Sequence, residues 1–509
     1  MTESRTDKAI KNSIVTMACQ IVYLLVSFVC RTFFSKLLGT EYLGVGGLFS
    51  NILTILSFAE LGIGSALVYR MYVPLAHKDH EKVLQYLEVY RLVYRLVVII
   101  IAVLGIALIP AIPYLVTAPD VKESITLLYI LYLCQTLVSY VYVYKKSVLI
   151  ADQKNYIINI YNQIFNIAMN IAQCVFLVLT HSFVIYCVLN IVFNLAGNIA
   201  CSQLADREYP FIRSRSKQKL DKQELSSLFR DIKGLFLSRV AGTAFGGTDN
   251  IFISAYIGIR YVGIMSNYYI FANIINSIMN KIFYSITASI GNLVAVGEKD
   301  KLEQVLRKIF FINASLYGYV CLGMLVLLRT FVMEIWLSPE YDLSQTVVAL
   351  MVLELFLRGI HYPMYTTRTA LGSFSEHNIL FALAALLNIL MDFLLVKPLG
   401  IVGLLIATIF CRGITYCVDI WVVFCEQLRR PFQSYLSGIG KWLLFLAVCA
   451  TLCMFSSSMI TLGGWIGFIL KGLVITAIYI AMYLAAFGRS EEFSYLMRVI
   501  KQILQRKKG

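Results

Sequence analysis

The stretch Val347 to Leu371 is apolar enough to cross a bilayer, yet it carries Glu354, Arg358, His361, Tyr365 and Arg368. The steps between them are four, three, four and three, so all five share one face of one helix. A second apolar stretch, Val402 to Cys425, places Arg412, Thr415, Tyr416 and Asp419 on one face. Arg31, Glu60, Arg239, Asp249, Lys281 and Asp392 stand inside further apolar runs. Each such charge costs about 2.5–3.5 kcal/mol at mid-membrane, which predicts that these side chains face protein or water rather than lipid.

The chemistry on offer is recognition of charge. Arg31, Arg358 and Arg412 lie deep in their spans and are the best candidates for anion contacts. A guanidinium donates in pairs from a planar fork and stays charged when buried. Arg239, Gln20 and Tyr365 join them as candidate lining of a central cavity. Arg70, Lys145, Lys146, Arg239, Lys281 and Arg368 fall near cytoplasmic span ends, where snorkelling is the competing role. The acidic candidates are Asp249, Glu60, Glu354, Asp392 and Asp419, for ion coupling or for charge balance. Glu354 stands four residues before Arg358 and could simply neutralise it. Asp249 could carry a coupling proton or cation, or brace its own turn. His361 could titrate or make a structural hydrogen bond.

The elements that must position these residues are membrane spans. The chain has 509 residues, 59% of them hydrophobic and 14% charged, with mean hydropathy +0.75. A soluble domain is nearer about 25% charged. Apolar runs of about 20 residues recur throughout and period-two alternation is absent, so an all-α multi-spanning protein is expected, and a barrel is not. The net charge of +15 would point a soluble protein towards nucleic acid. Here the basic residues cluster between spans, which reads as topology and contact with anionic membrane lipids. The 12 cysteines are scattered, without C-x-x-C, and are expected to be small buried hydrophobes rather than metal ligands. No G-x-x-x-x-G-K-[ST] loop is present, so direct use of ATP is not expected; no cofactor or metal is expected either.

About 14 spans can be drawn from the apolar windows. The first runs from Asn12 to Leu38 and the second from Leu43 to Met71. A polar segment from Val73 to Arg91 follows, whose Val83, Leu84 and Leu87 predict a short amphipathic surface helix. The longest polar linker, from Ala205 to Lys233, is expected to join two halves. Linkers after even-numbered spans are rich in Lys and Arg, which puts both termini in the cytoplasm. The predicted organisation is an N-lobe over 1–206, a basic cytoplasmic linker over 207–233, a C-lobe over 234–426, and two extra helices with a basic tail over 427–509.

One pattern occurs twice. Ser35, Gly39, Tyr42 and Gly44 spell S-x-x-x-G-x-x-Y-x-G, and so do Ser254, Gly258, Tyr261 and Gly263. Each copy joins two apolar runs, as a helix end, a turn and a second helix start. Repeated multi-helix units are how many transporters are built. Polar stripes at helical spacing add to this: Gln20 in the first span; Asn159, Gln163, Asn166, Asn170 and Gln173 in the fifth; Asn190, Asn194 and Asn198 in the sixth; Asn273, Asn276 and Asn280 in the eighth. They predict either hydrogen bonds between helices or a hydrated cavity.

The stretches LGTEYLGVGGLFSNILTILSFAELGIGSALVYRMYVPLA and GTDNIFISAYIGIRYVGIMSNY are similar to recurrent stretches of Wzx-type polysaccharide flippases. These belong to the superfamily of multidrug, oligosaccharidyl-lipid and polysaccharide exporters. The resemblance implies 14 helices in two pseudo-symmetric six-helix lobes plus two C-terminal helices. It also implies transport of an undecaprenyl-pyrophosphate-linked oligosaccharide across the bacterial cytoplasmic membrane, for capsule, exopolysaccharide or other surface polysaccharide. The lobes would rock to give alternating access, driven by a coupling cation, a proton or the membrane potential. Cavity arginines would meet the pyrophosphate, which fits Arg31, Arg239, Arg358 and Arg412 by position. Implied partners are the lipid-linked oligosaccharide, membrane lipids, a polysaccharide polymerase and glycosyltransferases, with no nucleic acid and no enzymatic activity. Three rivals remain: a multidrug/cation antiporter of the same superfamily, a membrane-embedded polymerase or ligase, and a scaffold or scramblase. The antiporter predicts an acidic cavity. The enzyme predicts a large external loop, and the longest external linker, Arg329 to Gln345, is short.

Overall fold

Chain entry into the first hairpin sets the pattern for the rest. A computed structural model describes residues 5–60, 63–116, 121–216, 218–230, 232, 248–296, 298–370 and 378–506. Every regular element among them is helical. In order the α-helices are α1 (Arg5–Leu37), α2 (Thr40–Leu56), α3 (Ile63–Ala76), α4 (His80–Leu108), α5 (Ile112–Leu115), α6 (Ile125–Ser139), α7 (Val143–Ala151), α8 (Asn155–Thr180) and α9 (Phe183–Glu208). They continue as α10 (Asp249–Tyr256), α11 (Ile259–Val296), α12 (Lys299–Thr330), α13 (Gln345–Ala370), α14 (Asn378–Leu399), α15 (Ile401–Trp421), α16 (Gln433–Ser458), α17 (Gly464–Phe487) and α18 (Glu491–Arg506).

Among the described residues, 10 helices are long and apolar enough to span a membrane, or 11 if the bent pair α6 and α7 is one span. This is an all-α, multi-pass membrane fold. The other expected spans fall elsewhere. The second is divided by a 3-10 turn, Ser57–Glu60, into α2 and α3, each too short by itself. The seventh lies largely outside the described residues. The eighth corresponds to α11. Of the segment expected as a separate surface helix, residues 73–76 end α3 and the part from His80 belongs to α4, which runs unbroken into the third span. Asp79 caps its start by accepting from Lys82 N at 3.0 Å, and Val83, Leu84 and Leu87 are buried.

The chain divides into two compact units, residues 1–263 and 264–509. In the first, α1 packs along α8, α8 along α9, and α6 along α9. In the second, α14 packs along α15, α13 along α15, and α12 along α13. The fifth and sixth spans therefore pair as the eleventh and twelfth do, and the fourth and sixth as the tenth and twelfth. The final helices α16 and α17 pack on each other and on α12. An aromatic cluster seals that contact, with Trp442 stacked on Phe487 at 4.6 Å and Tyr479 on Tyr483 at 5.7 Å.

The repeated motif gains its reason from the first unit. Gly39 and Gly258 both hold positive φ, +89° and +135°, a conformation that ends one helix and starts the next. Gly44 and Gly263 then meet backbone. A Cβ on Gly44 would lie 2.0 Å from the Ile259 carbonyl oxygen, and one on Gly263 would lie 1.9 Å from the Thr40 carbonyl oxygen. Thr40 and Ile259 each directly follow the turn glycine. The two copies thus touch reciprocally, each second glycine against the other copy's first helical carbonyl.

The basic linker is tied down along its described part. Ser216 donates from Oγ to Glu81 at 2.7 Å and from its backbone N to Glu88 at 3.1 Å. Lys82 pairs with Glu224 at 2.5 Å, Arg70 donates to Ser227 at 2.7 Å, and His80 stacks on Phe211 at 4.1 Å.

Candidate functional site

The charged stripe of α13 and that of α15 face each other in the second unit. Two buried carboxylates organise them. Glu354, 3% exposed at its side chain, accepts from Arg358 Nη2 at 2.5 Å and Nε at 3.1 Å. It also pairs with Arg412 Nη2 of α15 at 2.8 Å. Asp419, fully buried, lies 2.6 Å from His361 Nε2 and pairs with Arg368 Nε at 2.5 Å. The Arg368 guanidinium also lies 4.3 Å from the centre of the Phe381 ring of α14. The Tyr416 ring rests on His361 at 4.8 Å and its hydroxyl donates to the Ile360 carbonyl at 3.0 Å.

The same helical spacing that places these residues on one face lets the pairs form. Glu354 and Arg358 are one turn apart and meet through both carboxylate oxygens, and α13 and α15 run side by side, so Arg412 reaches Oε1 as well. A single buried Glu thereby holds two guanidiniums in a fixed arrangement. Arg358 stays 33% exposed at its side chain and Arg412 17%. Tyr365 is 45% exposed on the same stripe. A π-helical segment, Val422–Leu428, begins three residues after Asp419. Such segments often mark functional positions.

For Arg368 the structure decides between the two roles. Rather than snorkelling, it is 6% exposed and bound to Asp419. His361 and Arg368 were both visible on the stripe, but only the crossing of α13 by α15 gives them a common partner. Asp392 of α14 is fully buried, with Asn388 Nδ2 3.5 Å from its Oδ1.

The remaining candidates lie in the first unit. Gln20 of α1 accepts from Gln163 Nε2 of α8 at 2.9 Å, so that part of the polar stripe is a bond between helices. Gln173 likewise donates to the Tyr186 carbonyl at 3.1 Å, and Asn198 to that of Val138 at 3.1 Å. Arg31 is half-buried on α1, within electrostatic reach of Tyr132 and Tyr186. Glu60 sits in the 3-10 turn and accepts from Tyr94 at 2.5 Å, with Tyr90 3.4 Å behind. Lys146 is bound to Asn198, so it too is engaged inside the protein. Asp249 is the first residue of α10 and half-buried. Arg239 lies outside the described residues.

No group of three or more His, Cys, Asp or Glu among the described residues could hold a metal ion. An apolar cavity of about 190 Å³ opens between α12, α13 and α16, lined by Cys321, Leu325, Val352, Phe356, Leu446 and Ala450 among others.

Residues 9–289, more than half of the chain, match the family model described as "Polysaccharide biosynthesis protein". Comparison with curated proteins gives no match. Among solved structures, the chain is similar to a lipid II flippase MurJ in an inward closed conformation, with TM-score 0.65 and 16% identity over 94% of this chain and 100% of that one. It is also similar to an inward-facing multidrug resistance MATE family transporter of the MOP superfamily, with TM-score 0.63 and 14% identity over 82% and 98%. A Vibrio cholerae MATE transporter gives TM-score 0.55 and 16% identity over 84% and 97%. At these identities the likeness is one of fold.

Proposed function

The chain belongs to the polysaccharide biosynthesis protein family, and from that premise we propose that it is a flippase for undecaprenyl-pyrophosphate-linked oligosaccharide repeat units. The cargo joins a sugar too polar for hydrocarbon to a lipid too apolar for water. A polar, cationic central cavity within a membrane fold meets both demands, because opposite charges attract far more strongly at low dielectric than in water. The observation that carries this reading is the arginine pair held by the buried Glu354, in which the Arg358 side chain stays 33% exposed. Arg31 and Arg239 join them in the proposal, with Gln20 and Tyr365 as polar lining. Asp249, Glu60, Asp392 and Asp419 serve ion coupling or charge balance. The apolar cavity beside α13 offers room for part of an acyl or prenyl chain.

The architecture that goes with this function is about 14 spans in two pseudo-symmetric six-helix lobes plus two C-terminal helices. The N-lobe would cover 1–206, the linker 207–233, the C-lobe 234–426 and the extra helices and tail 427–509. Both termini would be cytoplasmic, and access would alternate between leaflets. A polysaccharide polymerase and glycosyltransferases would act on either side of the step.

Arg358→Ala and Arg412→Ala are expected to abolish translocation of a lipid-linked oligosaccharide in proteoliposomes while the protein still inserts. Normal translocation by both variants would sink the site assignment. A multidrug/cation antiporter is the second reading, favoured by the fold similarity to MATE transporters. The cationic face of α13 and α15 weighs against cationic cargo. Transport of an organic cation by the purified protein, with none of a lipid-linked oligosaccharide, would reverse the order.

A further inference from the structure

We propose that His361 is a proton site that sets how strongly the α13–α15 face holds an anion. The inference rests on the anion-recognition reading above and goes beyond it by adding a protonic control. Its basis is an asymmetry between the two buried carboxylates. Glu354 is shared by two guanidiniums, whose charges are permanent. Asp419 is shared by one guanidinium, Arg368, and one imidazole, His361. Only at Asp419 is the second positive charge optional.

The geometry fixes where the proton goes. Asp419, fully buried, is paired with the Arg368 guanidinium, and a carboxylate in such a pair only accepts hydrogen bonds. His361 Nε2, at 2.6 Å, must then carry the hydrogen of the neutral ring. The lone pair left for an incoming proton is on Nδ1. Protonation therefore forms one N–H bond at Nδ1, breaks no existing contact, and adds one positive charge. The His361 side chain is 12% exposed, so that charge is set in a largely dehydrated place.

His361 is one helical turn from Arg358 on the same face of α13. The other groups around it fall on each packed element. On α13 they are Glu354, Arg358 and Arg368, and on α15, Arg412, Tyr416 and Asp419; α14 brings the uncharged Phe381 ring against Arg368. The Tyr317 phenol of α12 stands beside Gly359, and the Tyr435 phenol of α16 reaches Tyr416 at 3.5 Å. Arg368 already offsets Asp419, so a proton on His361 leaves a charge that a bound anion would balance. Linkage then requires reciprocity: the proton tightens anion binding, and the anion tightens proton binding by the same factor.

The test uses the full chain in nanodiscs with His77, His80, His181 and His377 replaced by Gln, so that His361 gives the single imidazole signal. Its nitrogen resonances are titrated from pH 5 to 8, without and with methanedisulfonate, a dianion whose charge is constant over that range. The expected result is a titration that moves to higher pH with the anion. Methanedisulfonate affinity should fall with rising pH by about 5- to 150-fold in total, at a slope of at most about tenfold per pH unit. His361→Gln should bind with less than about twofold change over the same range, a flat profile that the linkage argument demands. Binding of the dianion with a His361 signal that does not titrate, or that titrates unmoved by it, overturns the proton site and leaves the anion reading standing. Absence of dianion binding at every pH overturns the anion reading itself, and the control built on it.

Discussion

Adding one methyl group at Gly44 or at Gly263 gives the sharpest check on how the repeated motif works. Gly44→Ala would set a carbon 2.0 Å from the Ile259 carbonyl oxygen, and Gly263→Ala one 1.9 Å from the Thr40 carbonyl oxygen. Both obstacles are backbone atoms in the first turn of a helix, so no side chain can swing aside. The helices must separate by more than about 1 Å to restore a normal carbon–oxygen contact, and overpacking of this kind costs about 1–3 kcal/mol or somewhat more. Because the contact is reciprocal, one separation relieves both clashes. The double variant should therefore cost clearly less than the sum of the two single ones, as expected for coupled sites. Gly323→Ala is the control. Nothing lies within 4 Å of its added carbon, and an alanine in a helix interior is worth up to about 1 kcal/mol over glycine. Thermal unfolding in one detergent, read by tryptophan fluorescence, measures all four. Single variants within about 0.5 kcal/mol of wild type, the range of a neutral surface change, would refute the reciprocal contact. Additive costs would refute its sharing.

Three further outcomes follow from particular contacts. Glu354→Gln leaves Arg358 and Arg412 facing each other without their carboxylate and should cost about 3–5 kcal/mol, more than Arg358→Gln, which leaves Glu354 paired with Arg412; equal melting temperatures would contradict this. Gly39→Ala places a side chain at φ +89° and should cost about 1 kcal/mol, measured in the same melts. In the loop after α12, the hydrogen bond from Arg329 holds the Asp342 carboxyl below its usual range. Its folded value is depressed, so its contribution is present above the unfolded value and is lost as pH falls through the folded one. Both side chains are more than a third exposed, so screening limits the effect to about 1 kcal/mol or less. Asp342→Asn should remove that part of the acid-side loss of stability, and an unchanged acid profile would exclude it.

The sequence alone determined that this is a multi-span helical membrane protein, because apolar runs of span length with charges gathered between them have one stable solution in lipid. It also determined which residues share a face, since helical periodicity is local. That was enough to put Glu354, Arg358, His361, Tyr365 and Arg368 on one stripe and to find the motif at Ser35 and again at Ser254. Local periodicity does not say which stripe meets which. Only tertiary structure decided that Glu354 binds Arg412 as well as Arg358, and that Asp419 is shared by His361 and Arg368, since both depend on α13 lying along α15. It decided between a snorkelling and an inward role for Arg368, which is a buried ion-pair partner. It divided the second expected span at Ser57–Glu60, where a carboxylate answers Tyr94 across more than thirty residues of chain. It likewise gave Gly44 and Gly263 their reason, since a backbone contact between two distant helices leaves in the sequence only a missing side chain.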